Sequence, residues 1–156
     1  SLGYLFFEKV KKLKPELRGL SGGEIKKRKQ SAERGEAPSV FTIEERPRVA
    51  YLTDTLIEAL KRSPEVLKAE LLILECTFLS ELKPLSVARA GCHIHIDELC
   101  EWASRVESQR VLLMHFSQIH KPSEVRSICE QRLGHTLGER LHLLLPPAQL
   151  GESWWL

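Results

Sequence analysis

Two unbroken apolar runs, residues 70–78 (ELLILECTF) and 111–116 (VLLMHF), constrain this chain more than any other feature. A strand with one wet face alternates apolar and polar side chains, whereas a strand covered on both faces reads as a continuous hydrophobic stretch. Both runs therefore predict buried strands. A segment of different periodicity follows each. Ile96, Leu99, Cys100, Ala103 and Val106 recur at helical spacing and predict an amphipathic helix over 96–107. Val125, Ile128, Cys129 and Leu133 predict a second over 122–133. Strands alternating with helices indicate a layered α/β architecture.

The remaining segments fit around that frame. Residues 3–10 read as an aromatic-rich strand, 23–32 as a short helix, 35–39 as a turn and 40–44 as a short strand. Residues 48–52 (RVAYL) form a short apolar run that stops at Thr53, Asp54 and Thr55, and 55–61 looks helical. Ser63-Pro64-Glu65 predicts a helical turn, with Ser at the cap and Pro at the first position. Residues 141–145 predict a last strand ended by Pro146 and Pro147. The tail 151–156 carries Trp154 and Trp155, suited to docking on the body or on a partner. There is no internal repeat.

At 156 residues, 42% hydrophobic and 28% charged, the composition is that of a globular domain and not of a disordered chain. No apolar run reaches the roughly 20 residues a membrane-spanning helix needs, and no secretory signal pattern is present. Cys76, Cys92, Cys100 and Cys129 form neither a CxxC pair nor a dense disulfide scaffold, which points to a reducing compartment. The one Met is Met114 and the chain opens at Ser1; an initiator Met can be trimmed before Ser, so this start leaves open a piece of something longer.

Charge is distributed unevenly. Residues 1–35 hold ten Lys/Arg against four Asp/Glu, and residues 36–156 hold 13 against 17. The excess lies in Lys9, Lys11, Lys12, Lys14 and Arg18, then in Lys26, Lys27, Arg28 and Lys29. Such clusters suit a polyanion, because each neutralised phosphate releases counterions. A solvated arm kept soluble by its charges is the alternative. Pro15, Gly19, Gly22 and Gly23 interrupt this stretch, which is expected to project rather than pack.

Reactive side chains in α/β sheets gather at strand ends. Here one apolar run leads into Asp54, one contains Glu75, and one reaches His115. A buried His needs a hydrogen-bonding partner or a metal. His93 and His95 form an HxH pair before a helix. Alternate residues of an extended segment point the same way, so both rings can face one site, and helix capping explains the pair equally well. Glu75 inside an apolar strand needs a partner, for which His93 is suited, or holds loop backbone. No GxxxxGK[ST], GxGxxG or GxSxG motif is present.

Taken in order, these segments resemble the C-terminal half of tRNase Z, the metallo-β-lactamase-fold endonuclease that trims tRNA 3′ ends, with its short eukaryotic form most similar. Residues 1–4 resemble the strand after the family's third metal motif. Residues 47–55 (PRVAYLTDT) resemble the segment of its metal-bridging Asp, and 74–79 (LECTFL) its Glu-Ala-Thr-Phe segment. Residues 92–96 (CHIHI) resemble its Gly-His-x-His segment, and 112–117 (LLMHFS) its final metal-ligand motif.

The resemblance implies an α/β fold that is half of an αββα sandwich, a mixed sheet with flanking helices over 1–150, from which 9–35 projects as a basic arm. It implies that Asp54 bridges two zinc ions and His115 ligates one of them. His93, oriented by Glu75, would protonate the departing 3′-oxygen of a precursor tRNA. The basic cluster Lys9–Lys29 would be the exosite that grips tRNA and serves the active site of a dimer partner. A cytoplasmic or nuclear setting is implied, or an organelle if a targeting segment precedes Ser1.

The family's His-x-His-x-Asp-His motif is absent from this sequence, as is the His expected just before Ser1. Asp54 and His115 alone cannot hold two zinc ions, because each takes about four donors. Thr53 and Cys92 stand where the family places glycines. The expectation is a portion of a tRNA 3′-processing endoribonuclease, inactive as the isolated chain. The alternative is a non-catalytic tRNA-binding or dimerisation remnant.

Overall fold

In the computed structural model the described residues are 3–146. Expectations for residues 1–2, for Pro147 and for Trp154 and Trp155 lie outside them. The chain divides into two compact units, one of them Phe7–Arg46 and the other built from residues 3–6 and 47–146.

The larger unit is a sheet with helices. Its strands come from β1 (Gly3–Leu13), β2 (Phe41–Leu52), β3 (Leu71–Glu75), β4 (Arg110–Met114) and β5 (Leu141–Leu143), in spatial order β1-β2-β3-β4-β5. From β2 onward every pairing is parallel, with Leu52, Leu74, Leu113 and Leu143 in one register row. Parallel neighbours require crossovers. These are supplied by α2 (Glu58–Arg62), by α3 (Leu85–Ala90) with α4 (Ile96–Ala103), and by α5 (Pro122–Leu137).

Ala50, Leu52, Leu72, Leu74, Val111 and Leu113 alternate along three strands onto one face and are all buried. They join Leu60 of α2, Leu99 and Ala103 of α4, and Val125, Cys129 and Leu133 of α5 in a single core. The residues between them, Tyr51, Leu71, Ile73 and Leu112, lie on the other face and are only partly buried. The apolar runs predict strands covered on both faces; among the described residues only one face is fully covered.

Several boundaries differ from the sequence reading. Residues 41–44 and 48–52 belong to one strand that runs through Pro47, before the stretch Val49–Leu52 that pairs with β3. The run 70–78 is a strand only to Glu75, which still pairs with Met114, because beyond it Thr77 N–H turns back to the Glu75 carboxylate instead of a neighbouring strand. Ser63 makes no side-chain cap, and Pro64–Lys68 is a 3₁₀ turn. The amphipathic helix expected over 96–107 ends at Ala103, while α5 continues a turn past Leu133 to Leu137. Helix α3 was not anticipated. At six residues it is too short to show a helical period, and Val87 within it is exposed.

In the smaller unit, the outer parts of β1 and β2 form a ribbon. Lys14 N–H donates to Val40 C=O at 3.0 Å, Thr42 Oγ1 donates to Lys12 C=O at 3.4 Å, and Lys9 pairs with Glu45 at 3.5 Å. Early residues of one strand thus meet late residues of the other. Helix α1 (Gly22–Glu33) starts at a capping box, in which Ser21 Oγ accepts from Glu24 N–H and Glu24 Oε2 accepts from Ser21 N–H at 2.8 Å. No residue of α1 is buried. Leu17 and Val40 are the buried apolar residues of this unit.

Candidate metal centre

Because β2, β3 and β4 are parallel, their carboxyl ends open at one edge of the sheet, where α/β proteins place ligands. Two residues beyond β2 stands Asp54, at the end of β3 Glu75, and immediately after β4 His115. The loop between α3 and α4 adds His93. Asp54, Cys92 and His115 have φ of 46°, 61° and 62°, and they are the positive-φ residues other than glycine among those described. This left-handed backbone is unfavourable for side-chain-bearing residues, and such strain clusters at functional sites. Here it falls on two side chains of the site and on the neighbour of a third.

Asp54, His93 and His115 each offer a ligand atom, and these atoms lie within 4.8 Å of one another. His115 Nε2 is 3.3 Å from Asp54 Oδ1. The His93 and His115 ring centroids are 5.3 Å apart. Strands β2 and β4 flank β3 and so stand about 9.6 Å apart. Asp54 and His115 therefore arch toward each other over the end of β3, where Glu75 sits beneath them.

Glu75 is wholly buried and fully engaged. Its Oε1 accepts from Thr55 N–H at 3.0 Å and Ile94 N–H at 3.1 Å, and faces His93 Nδ1 at 3.3 Å. Its Oε2 accepts from Thr77 N–H at 3.1 Å and Thr77 Oγ1–H at 2.6 Å. The two roles read from sequence, partner to His93 and holder of loop backbone, are met by the same carboxylate. Thr55 follows Asp54 and Ile94 follows His93, so one buried anion ties the loops that carry two of the clustered side chains.

Thr77 was missed by the sequence reading. Its Oγ1 lies 3.0 Å from His115 Nδ1 and 3.2 Å from His93 Nδ1, besides the bond to Glu75. The available signal was a hydroxyl two residues beyond a buried carboxylate, on the same side of an extended segment.

His95 does not join His93. Its ring is buried and caps α4, with Nδ1 accepting from Asp97 N–H at 3.2 Å and Nε2 facing Ser80 C=O at 3.4 Å. Of the two readings of the HxH pair, capping is the observed one for His95. The alternation rule fails because His95 flanks a helix and its ring turns along that helix.

Thr53 Oγ1 lies 3.4 Å from Asp54 Oδ1, so the residue in place of a family glycine touches the carboxylate. A cleft of about 490 Å³ opens beside Asp54, bordered by Gly3, Leu52, Glu58, Arg62 and Cys92. The basic residues Lys9, Lys11, Lys12, Lys14, Arg18, Lys26, Lys27, Arg28 and Lys29 all fall in the smaller unit. Some of their charge is balanced there. Lys12 pairs with Glu44 and holds its carboxyl below the usual range, and Lys29 pairs with Glu33 at 3.7 Å. The unit retains eleven Lys/Arg against seven Asp/Glu.

A tetrahedral zinc with donors at about 2.1 Å sets them about 3.4 Å apart. The 3.3 Å separation of Asp54 Oδ1 and His115 Nε2 fits one edge of that tetrahedron. The side chains of Asp54 and His115 are 54% and 46% exposed, open to an ion and to further donors. The donor set fits part of a metal shell, and the described residues do not complete two such shells.

Sheet and site together define an α/β unit with a partial metal shell at the carboxyl edge of its parallel strands. Residues of this chain are 36% identical over 127 positions to tRNase Z TRZ1 of Arabidopsis thaliana, covering 80% of this chain and 44% of that protein. They are 35% identical over 128 positions to the chloroplastic tRNase Z TRZ2 of the same plant, covering 81% of this chain and 35% of that protein. Over most of its length the chain is similar to part of tRNase Z, and it spans less than half the length of the curated relatives it matches. No protein-family model matches it. Among solved structures, the metallo-beta-lactamase fold protein YhfI of Bacillus subtilis overlaps 90% of this chain and 46% of its own, with TM-score 0.48 and 15% identity, an overlap too loose to decide the fold by itself.

Proposed function

We propose that this chain is the C-terminal part of a zinc-dependent endoribonuclease that removes the 3′ trailer of precursor tRNA, and that it does not cleave as an isolated chain. The observation that carries the reading is the convergence of Asp54, His93 and His115 over a Glu75 bonded to the loops around it. The partly buried second face of the sheet, with Ile73 and Leu112, supports a missing layer of the sandwich. Asp54 and His115 would hold metal, with the remaining ligands supplied by protein outside this chain. Bound zinc ions supply an activated water and neutralise the scissile phosphate. His93 keeps Nδ1 toward Glu75; as the imidazolium its Nε2–H would protonate the departing 3′-oxygen, leaving a neutral ring still held through Nδ1 by the carboxylate. Residues 1–150 would form half of the catalytic domain, with 9–35 the exosite that grips tRNA away from the chemistry and reaches the second subunit of a homodimer.

Purified chain is expected to bind precursor tRNA weakly, with affinity falling steeply as salt rises, and to leave it uncut in the presence of zinc or manganese. Processing of a labelled precursor tRNA by this chain alone would overturn the reading. The remnant alternative is favoured by one observation, Cys92 at φ 61° where the family has glycine. An upstream reading frame encoding His-x-His-x-Asp-His decides for the enzyme, and its absence decides for the remnant.

A further inference from the structure

We infer that Thr77 is a positioning residue that sets the tautomer of His115, turning the Nε2 lone pair toward Asp54; this rests on the reading of that pair as metal-holding. The argument is a count of protons. A hydroxyl has one hydrogen to donate and two lone pairs to accept with. Thr77 Oγ1 lies 2.6 Å from Glu75 Oε2, a distance typical of a hydroxyl donating to a carboxylate. Were its hydrogen directed to a histidine instead, two acceptors would face each other at that separation inside the protein.

The hydrogen therefore goes to Glu75, and both imidazoles approach the remaining lone pairs as donors. His115 Nδ1, at 3.0 Å, must carry a proton. In the neutral ring Nε2 is then bare, and it stands 3.3 Å from Asp54 Oδ1. Two lone-pair groups at that distance repel unless a cation lies between them. The Thr77 hydroxyl thus does more than fill space: it converts the Asp54–His115 pair from a hydrogen-bonded couple into a cation cradle. The Glu75–Thr77–His115 series follows the rule that ligating histidines donate their second ring nitrogen to an outer partner.

His93 also approaches Thr77, at 3.2 Å, but has Glu75 Oε1 as a second acceptor at 3.3 Å. Loss of the hydroxyl is consequently asymmetric, freeing His115 and leaving His93 tied.

The test is the ¹⁵N imidazole spectrum of the full chain, without added metal, at a pH where the rings are neutral. Wild-type His115 is expected to show protonated Nδ1 and bare Nε2. Thr77→Val should shift the His115 tautomer ratio by about fivefold, the weight of one ordinary hydrogen bond, with His93 and His95 unmoved. Thr77→Ser should restore the wild-type pattern, which a purely packing role would not do. Amide spectra of both variants establish that the fold is kept. A wild-type His115 protonated at Nε2, or a Thr77→Val spectrum identical to wild type, overturns the inference. Neither outcome depends on tRNA binding or cleavage, so failure here is separable from failure of the functional reading.

Discussion

Glu75→Ala is the sharpest perturbation of this molecule that can be worked from its geometry. Three backbone N–H groups, of Thr55, Thr77 and Ile94, end on this one carboxylate, together with a hydroxyl. An orphaned buried donor costs about 1–3 kcal/mol. Thr55 is only partly buried and recovers some solvation. The expected destabilisation is then about 3–5 kcal/mol, or about 6–20 °C in Tm for a chain of this size. Glu75→Gln distinguishes this account from simple loss of volume. The amide can keep its carbonyl toward Thr55 and Ile94, but its NH₂ must face Thr77 N–H. The variant should lose about 1–3 kcal/mol, midway between wild type and Ala. Urea denaturation gives the totals, and amide hydrogen exchange at Thr55, Thr77 and Ile94 gives the location. If Glu75→Ala costs under 1 kcal/mol, or exchange at those three amides is unchanged, the carboxylate does not tie the loops together.

Three further outcomes are expected. Reversing Lys26, Lys27, Arg28 and Lys29 to Glu should weaken tRNA binding and flatten its log–log salt slope by up to about 3, because each lost phosphate contact removes about 0.7–0.9; an unchanged slope in a filter-binding titration removes the exosite from 26–29. Alkylation followed by peptide mapping should label exposed Cys92 first and spare Cys76 and Cys129, since burial pushes the Cys129 thiol up to about 12 and the Cys76 thiol well above its ordinary value. Cys92→Gly should raise stability by about 0.5–1 kcal/mol in thermal melts, because the left-handed backbone at φ 61° costs a side-chain-bearing residue about 1–2 kcal/mol while glycine gives back part through its unfolded freedom.

The legible part of this protein was the part written in long apolar runs. Residues 70–78 and 111–116 yielded adjacent strands of the sheet, and the polar residues ending the apolar runs yielded Asp54, Glu75 and His115. What escaped depends on contacts between segments far apart in sequence. Thr77 is an ordinary threonine until His115, 38 residues on, arrives beside it. His95 was ambiguous because strand periodicity and helix capping make the same demand on a residue just before a helix. Helix α3, with Pro84 at its start and Gly91 at its end, is too brief for a 3.6-residue period to register. The continuous runs overstated burial for a different reason. They register the cover a strand is adapted to, and the described residues supply that cover on one side of the sheet.

The left-handed turns at Asp54, Cys92 and His115 have a consequence for anyone who evolves this scaffold in the laboratory. A screen that rewards heat resistance and nothing else will be drawn to those three positions, where glycine or asparagine relaxes the chain. At two of them the winning clones would discard a side chain proposed to hold metal, so melting temperature would climb as the proposed centre is dismantled.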